Sequence, residues 1–154
     1  MANITSLWRN TKNMPLLLGM FCQGAMIISP VFVTLLLVPI FDWTIEDRQV
    51  SYAELWRSGA GLFCLVTGLG ASAGSWGLAA RKVWARWVCS ATPIAPFILA
   101  TVLPPTWFTQ KVFGGVSPWP SAIATSAVIA ACLFLLPSVT NFLSLRQGND
   151  HQPF

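Results

Sequence analysis

Charged residues divide this chain into four long charge-free intervals, and this feature constrains its fold more than any other. The intervals are 13–41, 58–80, 87–110 and 112–145. A helix needs about 20 residues to cross a bilayer, within a range of roughly 17–25. Charged residues make up only 9% of the 154 residues, too few to keep a soluble globule of this size dispersed. We therefore predict one all-α domain over 1–154, a four-helix transmembrane bundle.

The spans and their connections are predicted from these intervals and the apolar residues within them. The predicted spans are 14–41, 57–80, 84–103 and 121–145; the predicted outer loops are 42–56 and 104–120, and the inner loop is 81–83. The third predicted span differs from the other three because two prolines, Pro93 and Pro96, interrupt its helix. We expect a kinked but continuous helix there. Two alternatives remain for residues 84–103: a broken or re-entrant segment, and a segment that does not cross the membrane.

All eight tryptophans lie at the ends of the intervals. An indole combines a flat apolar body with one N–H donor and favours the headgroup zone. The inner set is Trp8, Trp76, Trp84 and Trp87, and the outer set is Trp43, Trp56, Trp107 and Trp119. We predict that both sets anchor the spans at the membrane surfaces.

Lysine and arginine are distributed unevenly over the connections. The N-terminal segment, the segment 81–86 and the C-terminal tail together hold six, and the two opposite loops hold three. The positive-inside rule then places both termini in the cytoplasm, and we expect a bacterial inner membrane. Since these cations are scattered over short loops without a basic stripe, we predict contact with the lipid bilayer and no nucleic-acid partner.

The second span carries small residues on two faces. Gly70, Gly74 and Gly77 form the first face, and Gly61 and Gly68 belong to the second. Small residues allow helix backbones to approach closely within lipid. We therefore predict that this span packs against two neighbours, with an apolar strip from Leu62 to Trp76 facing lipid. Ser51 and Glu54 match a capping box, which predicts a helix start near Tyr52.

Few side chains in the predicted spans can do chemistry. No ionisable residue apart from cysteine lies in the interior of a span, which argues against a proton-coupled transporter. The only histidine is His151, so a haem held between two histidines is excluded. The cysteines are Cys22, Cys64, Cys89 and Cys132. Only Cys22 and Cys89 have matching depths, and a buried cysteine normally acts as a small apolar residue. We predict no catalytic residues, metal site or cofactor.

Gln23 is the most polar residue deep in the first span. An unpaired amide in hydrocarbon costs roughly 2–7 kcal/mol. We therefore expect Gln23 to make a buried polar contact with another helix.

Three functions follow as hypotheses. The first is a non-enzymatic protein that acts through helix–helix contacts, by self-association or as a subunit, assembly or immunity-type partner of a membrane complex. The second is a carrier or channel for a neutral solute, lined by Gln23 and the Pro93/Pro96 break. The third is a membrane enzyme of lipid metabolism, which would need acids of the first outer loop such as Asp42, Glu46 and Asp47.

Overall fold

The computed structural model describes residues 4–12, 14–40, 42–45, 48–102, 106–114 and 119–144. Helices dominate these ranges, and one short antiparallel hairpin interrupts them. The elements in chain order are α1 (Ile4–Lys12), α2 (Leu16–Leu37), β1 (Trp43–Ile45), β2 (Arg48–Val50), α3 (Tyr52–Arg57), α4 (Ala60–Ala79), α5 (Trp84–Ala91), α6 (Ala95–Val102), α7 (Trp107–Gly114), α8 (Trp119–Leu135) and α9 (Pro137–Ser144).

Two of these helices, α2 and α4, are long and apolar enough to cross a membrane by themselves. Two further pairs, α5 with α6 and α8 with α9, reach that length only when each bent pair counts as one span. The described chain is therefore all-α, with two to four candidate membrane-spanning helices. Helix α4 has the most neighbours, since it contacts α1, α2, α3, α5 and α6.

The helix predicted to start near Tyr52 and to continue through the second span is two helices rather than one. Ser51 caps α3 as predicted, its Oγ accepting a hydrogen bond from the Glu54 N–H at 3.3 Å. The helix then ends at Ser58, and Gly59 adopts the left-handed conformation with φ 83° before α4 begins. Glycine takes this conformation without a Cβ clash, so the expectation of an unbroken helix from Tyr52 is wrong.

The third predicted span breaks at its first proline. Helix α5 ends at Ala91, residues 92–94 form a turn, and α6 leaves at an angle of 56°. Pro93 has no N–H to continue the α5 hydrogen bonds. Pro96 lies in the first turn of α6, where a missing donor costs nothing. The expectation of a continuous kinked helix is therefore wrong, and the structure has the alternative, a broken segment.

The fourth predicted span, 121–145, is also broken, which the sequence analysis did not predict. Helix α8 ends at Leu135, and α9 begins at Pro137 with a bend of 60°. Proline suits the first position of a helix because its missing N–H is unused there. The two predicted outer loops also contain structure, namely the β1–β2 hairpin and helix α7.

Two buried clusters mark the ends of the molecule. The basic-end cluster, close to Arg81 and Arg86, consists of Met14, Cys22, Met26, Leu78, Ala79, Ala85, Cys89, Leu133, Val139, Phe142 and Leu143. The acidic-end cluster, close to Asp42 and Glu54, consists of Leu36, Val50, Leu55 and Ala60. The first cluster joins α2, α4, α5, α8 and α9, and the second joins α2, β2, α3 and α4.

Candidate helix-packing site

One face of α4 lies in close contact with α5 through Gly70, Gly74 and Gly77. A Cβ at Gly74 would lie 2.5 Å from Cys89 Sγ, and one at Gly77 would lie 2.6 Å from Ala85 Cβ. Real Cβ atoms essentially never come this close to another heavy atom. The two backbones therefore approach to a distance that only glycine permits, as small residues do between helices in lipid.

Gly70 lies where the third predicted span breaks. A Cβ at this position would lie 2.6 Å from Thr92 Oγ1, and Thr92 is the C-cap of α5. The Thr92 hydroxyl also donates to the Val88 carbonyl at 2.7 Å. The turn before α6 is thus packed closely against α4.

The other predicted glycines contact different partners. A Cβ at Gly68 would lie 2.7 Å from Val33 Cγ2 of α2. A Cβ at Gly61 would instead lie 3.0 Å from Cδ2 of the Trp56 ring, so Gly61 packs inside the α3–α4 elbow. The structure thus places the close approaches of α4 against α2, α3 and α5, all within this chain.

Helix α8 has an outward face that no other described element covers, and it carries small residues together with the large apolar Ile123, Val128 and Leu135. The exposed residues of α8 are Pro120, Ser121, Ile123, Ala124, Thr125, Ala127, Val128, Ala131, Cys132 and Leu135. Ala124, Ala127 and Ala131 follow one another at helical spacing and define the α8 small face. The contacts of α8 fall mainly on α5 and α9. This face was not predicted from the sequence, because small residues were considered on the second span alone.

Helix α2 exposes a surface of the opposite kind. Its outward side chains are large and apolar: Leu16, Leu17, Met20, Phe21, Ile27, Ile28, Val31, Leu35 and Leu37. Bulky branched side chains fill the space between lipid tails, whereas small ones leave grooves that another helix can enter. The two exposed faces therefore suit different neighbours.

Gln23 contacts helix α1. Its Nε2 donates to Thr11 Oγ1 at 2.8 Å, and the Thr11 hydroxyl donates to the Trp8 carbonyl at 2.8 Å. Thr11 is only 2% exposed, and its own carbonyl lies 2.8 Å from where a Cβ of Gly19 would be. This chain of hydrogen bonds attaches α1 to the first turns of α2. Thr11 was not predicted as the partner of Gln23.

The tryptophans lie at the two ends of the molecule. At the acidic end, Trp43, Trp56 and Trp107 pack against the cluster, and Trp119 lies beside Phe97 with centroids 6.0 Å apart. The indole N–H groups of Trp43 and Trp56 are buried and have no hydrogen-bond acceptor.

The basic end holds the other four tryptophans. There Trp84 is 49% exposed and Trp87 is 64% exposed, whereas Trp8 is 38% exposed. Trp76 is half-buried against the cluster. Leu69, on the same predicted lipid-facing strip of α4, is 50% exposed. The strip is therefore open to the surroundings at Leu69 and partly covered at Trp76.

The two features invoked for a solute path, Gln23 and the break at Pro93, contact different helices. Gln23 lies beside α1, while the break at Pro93 packs on α4. Cys22 and Cys89 share the basic-end cluster, and all four cysteines are free. Asp42 is exposed, and Glu46 and Asp47 lie outside the described residues. Across the described ranges, no three His, Cys, Asp or Glu side chains are placed to hold a metal ion.

Comparisons with family models, with curated proteins and with solved structures gave no match.

Proposed function

We propose that this protein acts through helix–helix contacts within a membrane, and that the α8 small face is the surface it presents to its partner. The partner is a second copy of the chain or a helix of another membrane protein. In this role the protein is a subunit, assembly factor or immunity-type partner of a membrane complex. We place it in a bacterial inner membrane as four crossings with both termini in the cytoplasm.

The observation that carries the proposal is the contrast between the two exposed faces. The small residues of α4 are used inside the chain, where α2, α3 and α5 fill the space above them. Ala124, Ala127 and Ala131 of α8 remain exposed. Apolar burial gives no driving force in lipid, so helices associate where small residues allow close van der Waals contact. Among the described residues, Ala124, Ala127 and Ala131 offer such contact to another helix.

The contacts of the third span favour this role over a carrier for a neutral solute. Thr92 fills the space above Gly70 at the break. Beyond the break, Phe97 packs edge-on against Phe63, with ring centroids 5.2 Å apart. Gln23 is bonded to Thr11. The polar group and the helix break that a solute path would use are each occupied by the chain itself.

A photoreactive phenylalanine placed at Cys132 tests the proposal in native membranes. Cys132 is exposed one residue beyond Ala131, so the probe lies beside the small face without filling it. The matched control carries the probe at Val31, which is 53% exposed on the bulky face of α2. We expect a discrete protein adduct from position 132 and none from position 31.

Two substitutions show whether the adduct depends on the small face. Ala127→Leu and Ala131→Leu fill the groove and are expected to abolish the adduct at position 132. Both positions are exposed, so the fold of the chain itself tolerates the added side chain. Equal adducts from positions 31 and 132, or adducts unchanged by both leucines, would contradict the proposal.

A further inference from the structure

Arg81 occupies a backbone position that normally belongs to glycine. It follows α4 with φ 55°. Its N–H donates to the Leu78 carbonyl at 2.9 Å, and the Lys82 N–H donates to the Gly77 carbonyl at 2.8 Å. These two bonds form a Schellman motif, whose left-handed residue is usually glycine because a side chain there costs free energy. An arginine held in such a conformation points to a role for its side chain.

The Arg81 side chain lies on an aromatic ring of α9. Its guanidinium carbon is 4.4 Å from the centroid of Phe142, and Phe142 belongs to the basic-end cluster. Arg86 makes the same kind of contact, 5.5 Å from the centroid of Phe134. Phe134 also packs against that cluster. The bend between α8 and α9 therefore brings two rings under two guanidinium groups from the segment 81–86.

Both guanidinium groups have unused donors. The Nε atoms of Arg81 and Arg86 are buried and have no hydrogen-bond acceptor. A guanidinium carries five N–H donors, and an unpaired buried donor is costly. Ring contact positions these cations but accepts none of their in-plane hydrogen bonds.

No carboxylate among the described residues lies at this end to pair with the arginines. The described acids are Asp42 and Glu54, both at the acidic end. Four of the five acids of the chain fall between 42 and 54. The described cations of the basic end are Arg9, Lys12, Arg81, Lys82 and Arg86. The described elements of this end therefore supply no carboxylate to the two arginines, and an anion from outside these elements can bind the guanidinium groups.

The surroundings indicate which anion this is. Trp84 and Trp87 are exposed beside the arginines, and Trp87 packs on Phe134 with centroids 4.9 Å apart. Exposed tryptophans at the end of apolar helices lie at headgroup level in a bilayer. At that level the anions are lipid phosphates, and basic sites between membrane helices on the cytoplasmic side bind anionic headgroups.

We propose that Arg81 and Arg86 bind the phosphate of an anionic phospholipid at the basic end. The planar fork of arginine pairs with phosphate oxygens through two parallel hydrogen bonds. Phe142 and Phe134 hold the guanidinium groups in place, and the acyl chains lie along the apolar helices. This site is formed by residues other than Ala124, Ala127 and Ala131 of the α8 small face.

Native mass spectrometry of the full-length protein in a neutral detergent tests the site. Phosphatidylglycerol is titrated against phosphatidylcholine, and the dissociation constant of each bound lipid is measured. We expect at least about tenfold tighter binding of phosphatidylglycerol. Arg81→Gln and Arg86→Gln are each expected to weaken that binding by about fivefold. Equal retention of both lipids would overturn the proposal.

Lys82 and Lys12 provide matched controls, because both are exposed cations of the same end. If binding were only diffuse attraction to a basic surface, Lys82→Gln and Lys12→Gln would weaken it as much as the arginine variants. We expect changes of less than about twofold. Equal losses in all four variants would overturn the site.

The Arg81→Gly variant removes the side chain and keeps the backbone conformation at the end of α4. Glycine suits the left-handed position, so this variant keeps the end of α4 and is expected to melt no lower than Arg81→Gln. We expect it to lose selectivity for phosphatidylglycerol. Full retention of that selectivity would show that the Arg81 side chain is not involved.

Soluble phosphates distinguish a lipid from a free anion as the ligand. Inorganic phosphate and glycerol phosphate are added at millimolar concentration to the protein loaded with phosphatidylglycerol. We expect no displacement, because neither competitor has acyl chains to lie along the helices. Displacement of the lipid by inorganic phosphate would overturn the lipid as the ligand.

Discussion

Gly24 and Gly77 both lie inside long apolar helices, but their surroundings differ. A Cβ at Gly24 would have nothing within 4 Å. A Cβ at Gly77 would lie 2.6 Å from Ala85 Cβ, which cannot rotate away, and 2.8 Å from the end of the Trp84 ring. In sequence Gly77 continues the spacing of Gly70 and Gly74, whereas Gly24 belongs to no such pattern. The spacing predicts a packing face, but the close contact at Gly77 arises only when α5 packs on α4.

Gly77→Ala tests that close approach. Overpacking costs about 1–3 kcal/mol, which outweighs the ~0.5–1 kcal/mol that alanine gains over glycine in a helix. We expect Gly77→Ala to lower the free energy of unfolding, measured by circular dichroism during titration of mixed micelles with denaturing detergent. Gly24→Ala is the control and is expected to be neutral or stabilising. Adding Ala85→Gly to Gly77→Ala should restore most of the loss; no recovery would contradict the contact.

At the scale of elements, the sequence does not show whether a helix continues through a proline or bends at it. Pro30 lies inside α2, which continues unbroken through it. The Thr34 hydroxyl donates to the Pro30 carbonyl at 2.8 Å and supports that helix. Pro93 and Pro137 instead mark bends of 56° and 60°. The apolar pattern is continuous at all three prolines, so the outcome depends on which neighbouring helix a bent segment can reach.

Some local signals were sufficient for prediction and others were not. The cap at Ser51 was predicted because its partner, Glu54, lies three residues away. The partner of Gln23 is Thr11, twelve residues earlier. Finding it requires knowing that α1 folds back on α2. Contacts within one helix turn can be predicted from spacing, whereas contacts between elements cannot.

The Thr11–Gln23 hydrogen bond is testable by a double-mutant cycle. Thr11→Val keeps the shape of the side chain but leaves the Gln23 amide unpaired, which costs about 1–3 kcal/mol. Gln23→Leu leaves Thr11 able to donate to the Trp8 carbonyl, so we expect a smaller loss.

The double variant shows whether the Thr11 and Gln23 side chains interact and hold α1 against α2. Because Thr11→Val/Gln23→Leu removes both partners, it should be more stable than Thr11→Val alone. Tryptic cleavage after Lys12 should follow the same order, since it requires α1 to leave α2. Strictly additive losses would show that the two side chains do not interact.

At the scale of the whole molecule, the sequence predicted the class of protein better than the number of unbroken helices. Among the described residues, each long helix and each bent pair overlaps one charge-free interval, although α5 begins before Arg86. The bends of the third and fourth stretches decide whether each crosses the membrane or returns to the same side. The proposed four crossings require the basic and acidic ends to lie on opposite faces of the membrane.

Cysteine labelling from one side of the membrane tests this arrangement most directly. Gln49→Cys, Lys82→Cys and Gln110→Cys each place a thiol at an exposed position. The protein without these substitutions is the control for labelling of the four native cysteines. In sealed cells, a membrane-impermeant maleimide should label positions 49 and 110 and should label position 82 only after permeabilisation. Labelling of 82 and 110 from the same side would show that α5 and α6 do not cross, and would contradict the four-crossing arrangement.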